Sequence, residues 1–140
     1  MTPRSGVFFM EKVEVDALTR ESNDAGCATF VLPAHGIADK SSFFDAVRAT
    51  LPLDPPVISK WDALADSLWE GLSDQPEQCI LIVWPNAQLL ADAAPDVYDT
   101  ARSIFLQVVP ELADPAATVG NPKQVSVIIE VGKPVCTGSA

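Results

Sequence analysis

Six consecutive apolar residues, Cys79-Ile-Leu-Ile-Val-Trp84, constrain the fold of this chain more than any other feature. Successive side chains of a strand point to opposite faces, so a strand with one wet face alternates apolar and polar residues. An unbroken apolar run instead belongs to a strand covered on both sides, as in a parallel sheet dressed with helices. The flanking sequence supplies such helices. On the upstream side, Trp61, Leu64, Ala65, Leu68, Trp69 and Leu72 recur with the spacing of a core-facing helical stripe within Ser59–Leu72, with Ser59 as its expected cap. On the downstream side, Pro95 suits the first position of a helix whose buried stripe is Val97, Ala101, Ile104 and Val108, and Pro110 ends or kinks it.

The same reading extends to both ends. Ala28–Pro33 is rich in β-branched and aromatic residues and reads as a strand. Asp39 stands where a helix N-cap belongs, ahead of Phe43, Phe44, Val47 and Leu51. Three prolines make Leu51–Pro56 irregular. Val125–Val131 is the last strand, and residues 132–140 read as a flexible tail. Residues 1–26 form an N-terminal extension with a short strand-like piece, Gly6–Met10, an amphipathic turn around Val13–Leu18 and a polar turn at Glu21–Gly26. Strand, helix, helix, strand, helix, strand is the order of an α/β domain over residues 27–131, with a parallel sheet under helical cover. A length of 140 residues suits one such domain.

Charge narrows the function. Nineteen Asp and Glu against nine Lys and Arg give a net charge of -10, a field that repels nucleic-acid phosphates and anionic lipid and draws in cationic partners. Acidity also serves solubility, so charge alone names no partner. Templates for catalysis are missing: there is no GxGxxG, no phosphate loop, no nucleophile-elbow serine, and His35 is the only histidine. No enzyme activity is therefore expected, and no cofactor. Cys27, Cys79 and Cys136 show no metal-ligand spacing, and Cys79 reads as a small hydrophobe in a buried strand. No run is long enough to cross a bilayer and the N-terminus lacks the layout of a secretory signal, so the expected location is the cytoplasm.

One acidic constellation stands apart. Asp62, Asp66 and Glu70 are spaced by four on the best-supported helix and form a ridge beside its apolar stripe, bordered by Trp69. Like charges so placed cost roughly 0.2–0.5 kcal/mol a pair. Aromatic rings beside charges are common in binding hot spots. Spacing alone leaves a plainer reading open, in which Asp62 favours the helix dipole, Asp66 and Glu70 are a solvated face and Trp69 belongs to the core.

The segment Ser59-Lys-Trp-Asp-Ala-Leu-Ala-Asp-Ser-Leu-Trp-Glu-Gly-Leu72 resembles the signature helix of the barstar family, of the form Asn-Leu/Trp-Asp-Ala-Leu-x-Asp-Cys-Leu. Gly36-Ile-Ala-Asp-Lys40 with Phe43-Phe44, the strand ending at Trp84, Phe105-Leu-Gln-Val108 and Val125–Glu130 follow in the family's order, so the likeness spans about residues 28 to 131. The resemblance implies a three-stranded parallel sheet packed against helices. It also implies an intracellular, immunity-type inhibitor that plugs the active site of a basic ribonuclease, or other cationic toxin protein, with carboxylates in place of RNA phosphate. Carried onto this chain, Asp62 and Asp66 become the central contacts, with Asp66 the principal phosphate mimic; Trp69 and Glu70 flank them, and Glu111 matches a further acidic contact. The chain departs from the family in the loop before the helix: Pro56-Val-Ile-Ser-Lys60 replaces an aromatic and glycine stretch, Lys60 adds positive charge, and Ala65 and Ser67 replace an aromatic and a cysteine. Pro56 and Lys60 thus join the expected contact surface as the residues that set partner choice. The competing expectation is a barstar-like interaction or regulatory module whose partner is not a ribonuclease.

Overall fold

The computed structural model describes residues 6–53, 57, 60–118, 120 and 122–130. Its elements are β1 (Gly6–Met10), α1 (Lys12–Asp24), β2 (Ala28–Val31), α2 (Lys40–Thr50), α3 (Trp61–Ser73), β3 (Cys79–Trp84), α4 (Ala87–Ala93), α5 (Pro95–Ala113) and β4 (Gln124–Glu130). The sheet has the order β1-β4-β3-β2, and every pairing is parallel. β3 lies inside it, and Ile80, Leu81, Ile82 and Trp84 are fully buried, as the unbroken apolar run requires.

The two faces of the sheet carry separate cores. Ile80, Ile82, Trp84, Val125, Val127 and Ile129 pack with Phe43, Phe44, Leu64, Leu68, Phe105 and Val108, which come from α2, α3 and α5. Leu81, Val83 and Ile128 point the other way and pack against Val15 of α1, with Phe8, Met10 and Leu18 beside them. Asp39 caps α2 as expected: its Oδ1 accepts the Ser42 N–H at 2.8 Å, and Phe43, Phe44 and Val47 are buried behind it.

Several expectations are corrected. The sheet has four strands, not three, because Gly6–Met10 pairs in register with Ser126–Glu130. The apolar strand of the N-terminal segment thus covers the outer edge of β4, which would otherwise present unpaired backbone groups. The turn expected at Val13–Leu18 is one part of a helix of 13 residues that runs on through the stretch read as a polar turn, starting from a reciprocal Glu11–Glu14 capping box. α4 was not legible as a helix; it begins after Asn86, which adopts a left-handed φ of 55°. Pro110 does not end α5, which continues to Ala113 with Val109 and Leu112 buried. The expected Ser59 cap and the tail at 132–140 lie outside the described residues, and Lys60 occupies the N-cap of α3 without a side-chain cap bond.

Cys79 is also not a free thiol. It is disulfide-bonded to Cys27 across a Cα–Cα distance of 4.7 Å. Strand register explains the contact, since Ala28 pairs with Ile80 and so sets the two preceding residues side by side. Among the described residues no helix is long and apolar enough to cross a membrane.

Candidate functional site: an acidic groove between two helices

α3 is strongly two-sided. Leu64, Ala65, Leu68 and Leu72 are buried, whereas Asp62, Asp66 and Glu70 are exposed in a single row. The two tryptophans of the expected apolar stripe sit at its margin. Trp61 is half-buried against Phe43 and Phe44, with ring centroids 5.8 and 4.8 Å away and the Lys40 ammonium 5.7 Å from its own ring. Trp69 is half-buried on the ridge side.

The approach to α3 is pinned at both ends. Gly71 is buried in the helix, and a Cβ there would lie 1.7 Å from the Pro52 carbonyl oxygen, so only glycine lets the chain after α2 rest directly on α3. Arg48 donates to the Val57 carbonyl at 3.4 Å and also pairs with Asp45, while the Val57 side chain is buried in the core. Lys60 is exposed at the head of the ridge, and Pro56 lies outside the described residues. At the far end Lys123, only 2% exposed, turns its ammonium onto the carbonyls of Gln75 and Glu77, the latter at 2.9 Å. Those bonds fix the turn from α3 into β3, since a buried ammonium requires acceptors for its protons.

Packing of α3 on α5 brings Glu111 to the ridge. Asp66, Trp69, Glu70, Glu111 and Ala117 together line an open groove of about 350 Å³. Asp62 is one turn toward the N-terminus of α3 and exposed, outside the groove lining. Among the described residues, none of the four carboxylates of Asp62, Asp66, Glu70 and Glu111 makes an ion pair or a side-chain hydrogen bond. Their charge is therefore unspent within the fold. Three carboxylates beside an indole are groups that suit a cation, above all a guanidinium, which donates bidentate hydrogen bonds to a carboxylate and can stack on an aromatic ring.

His35 is exposed in the turn after β2, away from the groove residues in sequence and absent from its lining. Among the described residues no three His, Cys, Asp or Glu side chains are grouped to hold a metal ion. Sequence reading missed Gly71, Lys123 and Ala117. A glycine within an otherwise apolar helical stripe was the available signal for the first; nothing local marks a lysine before a strand as buried.

No curated protein and no solved structure matches the chain. A family described as Barstar (barnase inhibitor) matches residues 27–123, which run from the start of β2 to the threshold of β4 and include α3 and α5. With its parallel sheet under helical cover and its acidic signature helix, the chain belongs to the barstar family.

Proposed function

We propose that the protein is an inhibitor of the immunity type that captures a basic microbial ribonuclease and occupies its active site with acidic side chains. It acts by binding and performs no catalysis of its own. The observation that carries this reading is the convergence of Asp66, Trp69, Glu70 and Glu111 on one groove with no cation among the described residues paired to them. Asp66 is the central phosphate mimic, Asp62 extends the row toward the loop, and Trp69 offers a face on which an arginine of the enzyme stacks. A net charge of -10 steers a cationic enzyme to this surface and speeds its capture.

The test is inhibition of a panel of small basic microbial ribonucleases by the purified protein, beside Asp66→Ala. Removing one partner of a desolvated charge pair costs about 2–5 kcal/mol, so the variant is expected to bind roughly 30-fold to several thousand-fold more weakly. Equal inhibition by both proteins would refute the placement of the site.

A second reading has its own support. Lys60 is exposed at the head of the ridge, where it would face the positive field of a ribonuclease. That favours an interaction module whose partner carries mixed charge and is not a nuclease. Lys60→Glu discriminates: it tightens binding to a basic ribonuclease and weakens binding to a partner that uses the lysine.

A further inference from the structure

We propose that the Cys27–Cys79 disulfide is a thiol–disulfide exchange site, opened by a dithiol reductant, that controls how rigidly the acidic ridge is held. The argument starts from what the bond encloses. Its two cysteines are 52 residues apart, and the loop they close contains α2, the chain that leads out of it and the whole of α3 with Asp62, Asp66 and Glu70. Glu111, the fourth carboxylate, lies outside it. The bond therefore ties together the two strands between which the ridge-bearing excursion leaves and re-enters the sheet.

β2 makes this closure consequential. It is a strand of four residues at the edge of the sheet, paired among the described residues with β3 alone. Opening the disulfide removes the covalent tie at its β2 end and leaves that short ladder there, beside the packing of α2 and α3 on the core. Its β3 end stays clasped by Lys123 on the carbonyls of Gln75 and Glu77.

Access is asymmetric. Cys27 is 8% exposed, whereas Cys79 is partly exposed and lines an open depression of about 450 Å³ with Gln78, Ala113, Pro122, Lys123 and Gln124. The attacking thiolate reaches Cys79 Sγ through that depression. A bond forms between the reductant sulfur and Cys79 as the Cys27–Cys79 bond breaks, and the electron pair leaves with Cys27, which takes a proton from water. The second thiolate of the reductant then attacks its own bound sulfur, closes the reductant's disulfide and releases Cys79, which is protonated in turn. Two electrons enter the protein and two thiols result. A reducing compartment supplies such dithiols and an oxidising one does not, so the rigidity of the ridge follows the redox state of its surroundings.

The experiment uses the full chain carrying Cys136→Ser, so that only this pair reports. Dithiothreitol is added without denaturant, alkylatable thiols are counted by mass, and amide hydrogen exchange is followed over residues 61–73. The expected result is a rise from no alkylatable thiol to two in the folded protein, with exchange in α3 at least about tenfold faster once reduced. Chain-entropy arguments for a loop of this size predict a loss of roughly a thousandfold in the folding equilibrium on reduction. The double variant Cys27→Ser/Cys79→Ser must reproduce the reduced protein in both exchange and urea midpoint. Thiols that appear only on unfolding would overturn the exchange site, and unchanged exchange in α3 after reduction would overturn its control of the ridge. Neither readout involves a partner, so failure here is separable from failure of the ribonuclease reading.

Discussion

The two faces of the sheet are built to very different depths. On one, α2, α3 and α5 bury Ile80, Ile82, Trp84, Val125, Val127 and Ile129 under aromatic and large aliphatic anchors such as Phe43, Phe44 and Leu68. On the other, the buried cluster is Val15, Leu81, Val83 and Ile128, covered by α1 alone. The helices that cover the deep face, α2, α3 and α5, lie in the stretch matched by the barstar family, while α1 and β1 precede it. The difference shows how the chain solves the problem set by Cys79–Trp84. A central strand that is apolar on both sides needs two covers, and the second is contributed by the N-terminal segment. The acidic groove stands on the deep side, between α3 and α5, and owes little to α1.

That contrast can be broken by experiment. The largest effect is expected from Leu68→Ala, which opens a cavity beneath the ridge on the deep face and should cost about 2–5 kcal/mol in urea unfolding. Gly71→Ala comes next. Its methyl group meets the Pro52 carbonyl, so the chain must move off α3, at about 1–3 kcal/mol and with weaker capture of any partner on the ridge. A variant as stable and as active as the parent would show that the loop yields freely. Val15→Ala, on the thin face, should cost about 1–2 kcal/mol and leave partner binding unchanged. If it equals Leu68→Ala in cost, or weakens binding, the two faces are not independent.

The smallest effect is a pH dependence at the start of α2. The Ser42 backbone N–H, then the Ser42 hydroxyl, hold the Asp39 carboxyl below its ordinary value of 3.8. A depressed carboxylate contributes stability that is present above the unfolded value and lost as pH falls through the folded one. Asp39→Ala should therefore be less stable than the parent at neutral pH, and the gap in urea midpoint should close on acidification below about 3.8. A gap that is constant with pH would mean that the cap acts without its charge.

How much of this was legible beforehand follows from the range over which each signal acts. The α2 cap is written within four residues, from Asp39 to Ser42, and was read correctly. The two-sidedness of α3 is written in a period of 3.6 and holds for the buried Leu64, Leu68 and Leu72 against the exposed Asp62, Asp66 and Glu70. Trp61 and Trp69 were harder, because a large ring at the edge of a stripe is half-buried whichever side it is assigned to. The helix Ala87–Ala93 escaped because seven residues are too few for periodicity to show. The run-on of α1 through Arg20–Asp24 escaped because its polar residues, apart from buried Ser22, lie on the solvent side.

The sequence by itself determined the buried central strand, the acidic ridge and the family, because each rests on local pattern or on a contiguous motif. Only the tertiary structure decided that Gly6–Met10 is a fourth strand, that Cys27 meets Cys79, that Lys123 clasps the turn after α3 and that Glu111 faces Asp66 and Glu70. Each of these depends on strand register or on the packing of one helix upon another, which join residues some 41 to 120 positions apart. No local periodicity encodes such a distance; it emerges when the apolar faces close over β3 and leave each polar side chain where the packing puts it.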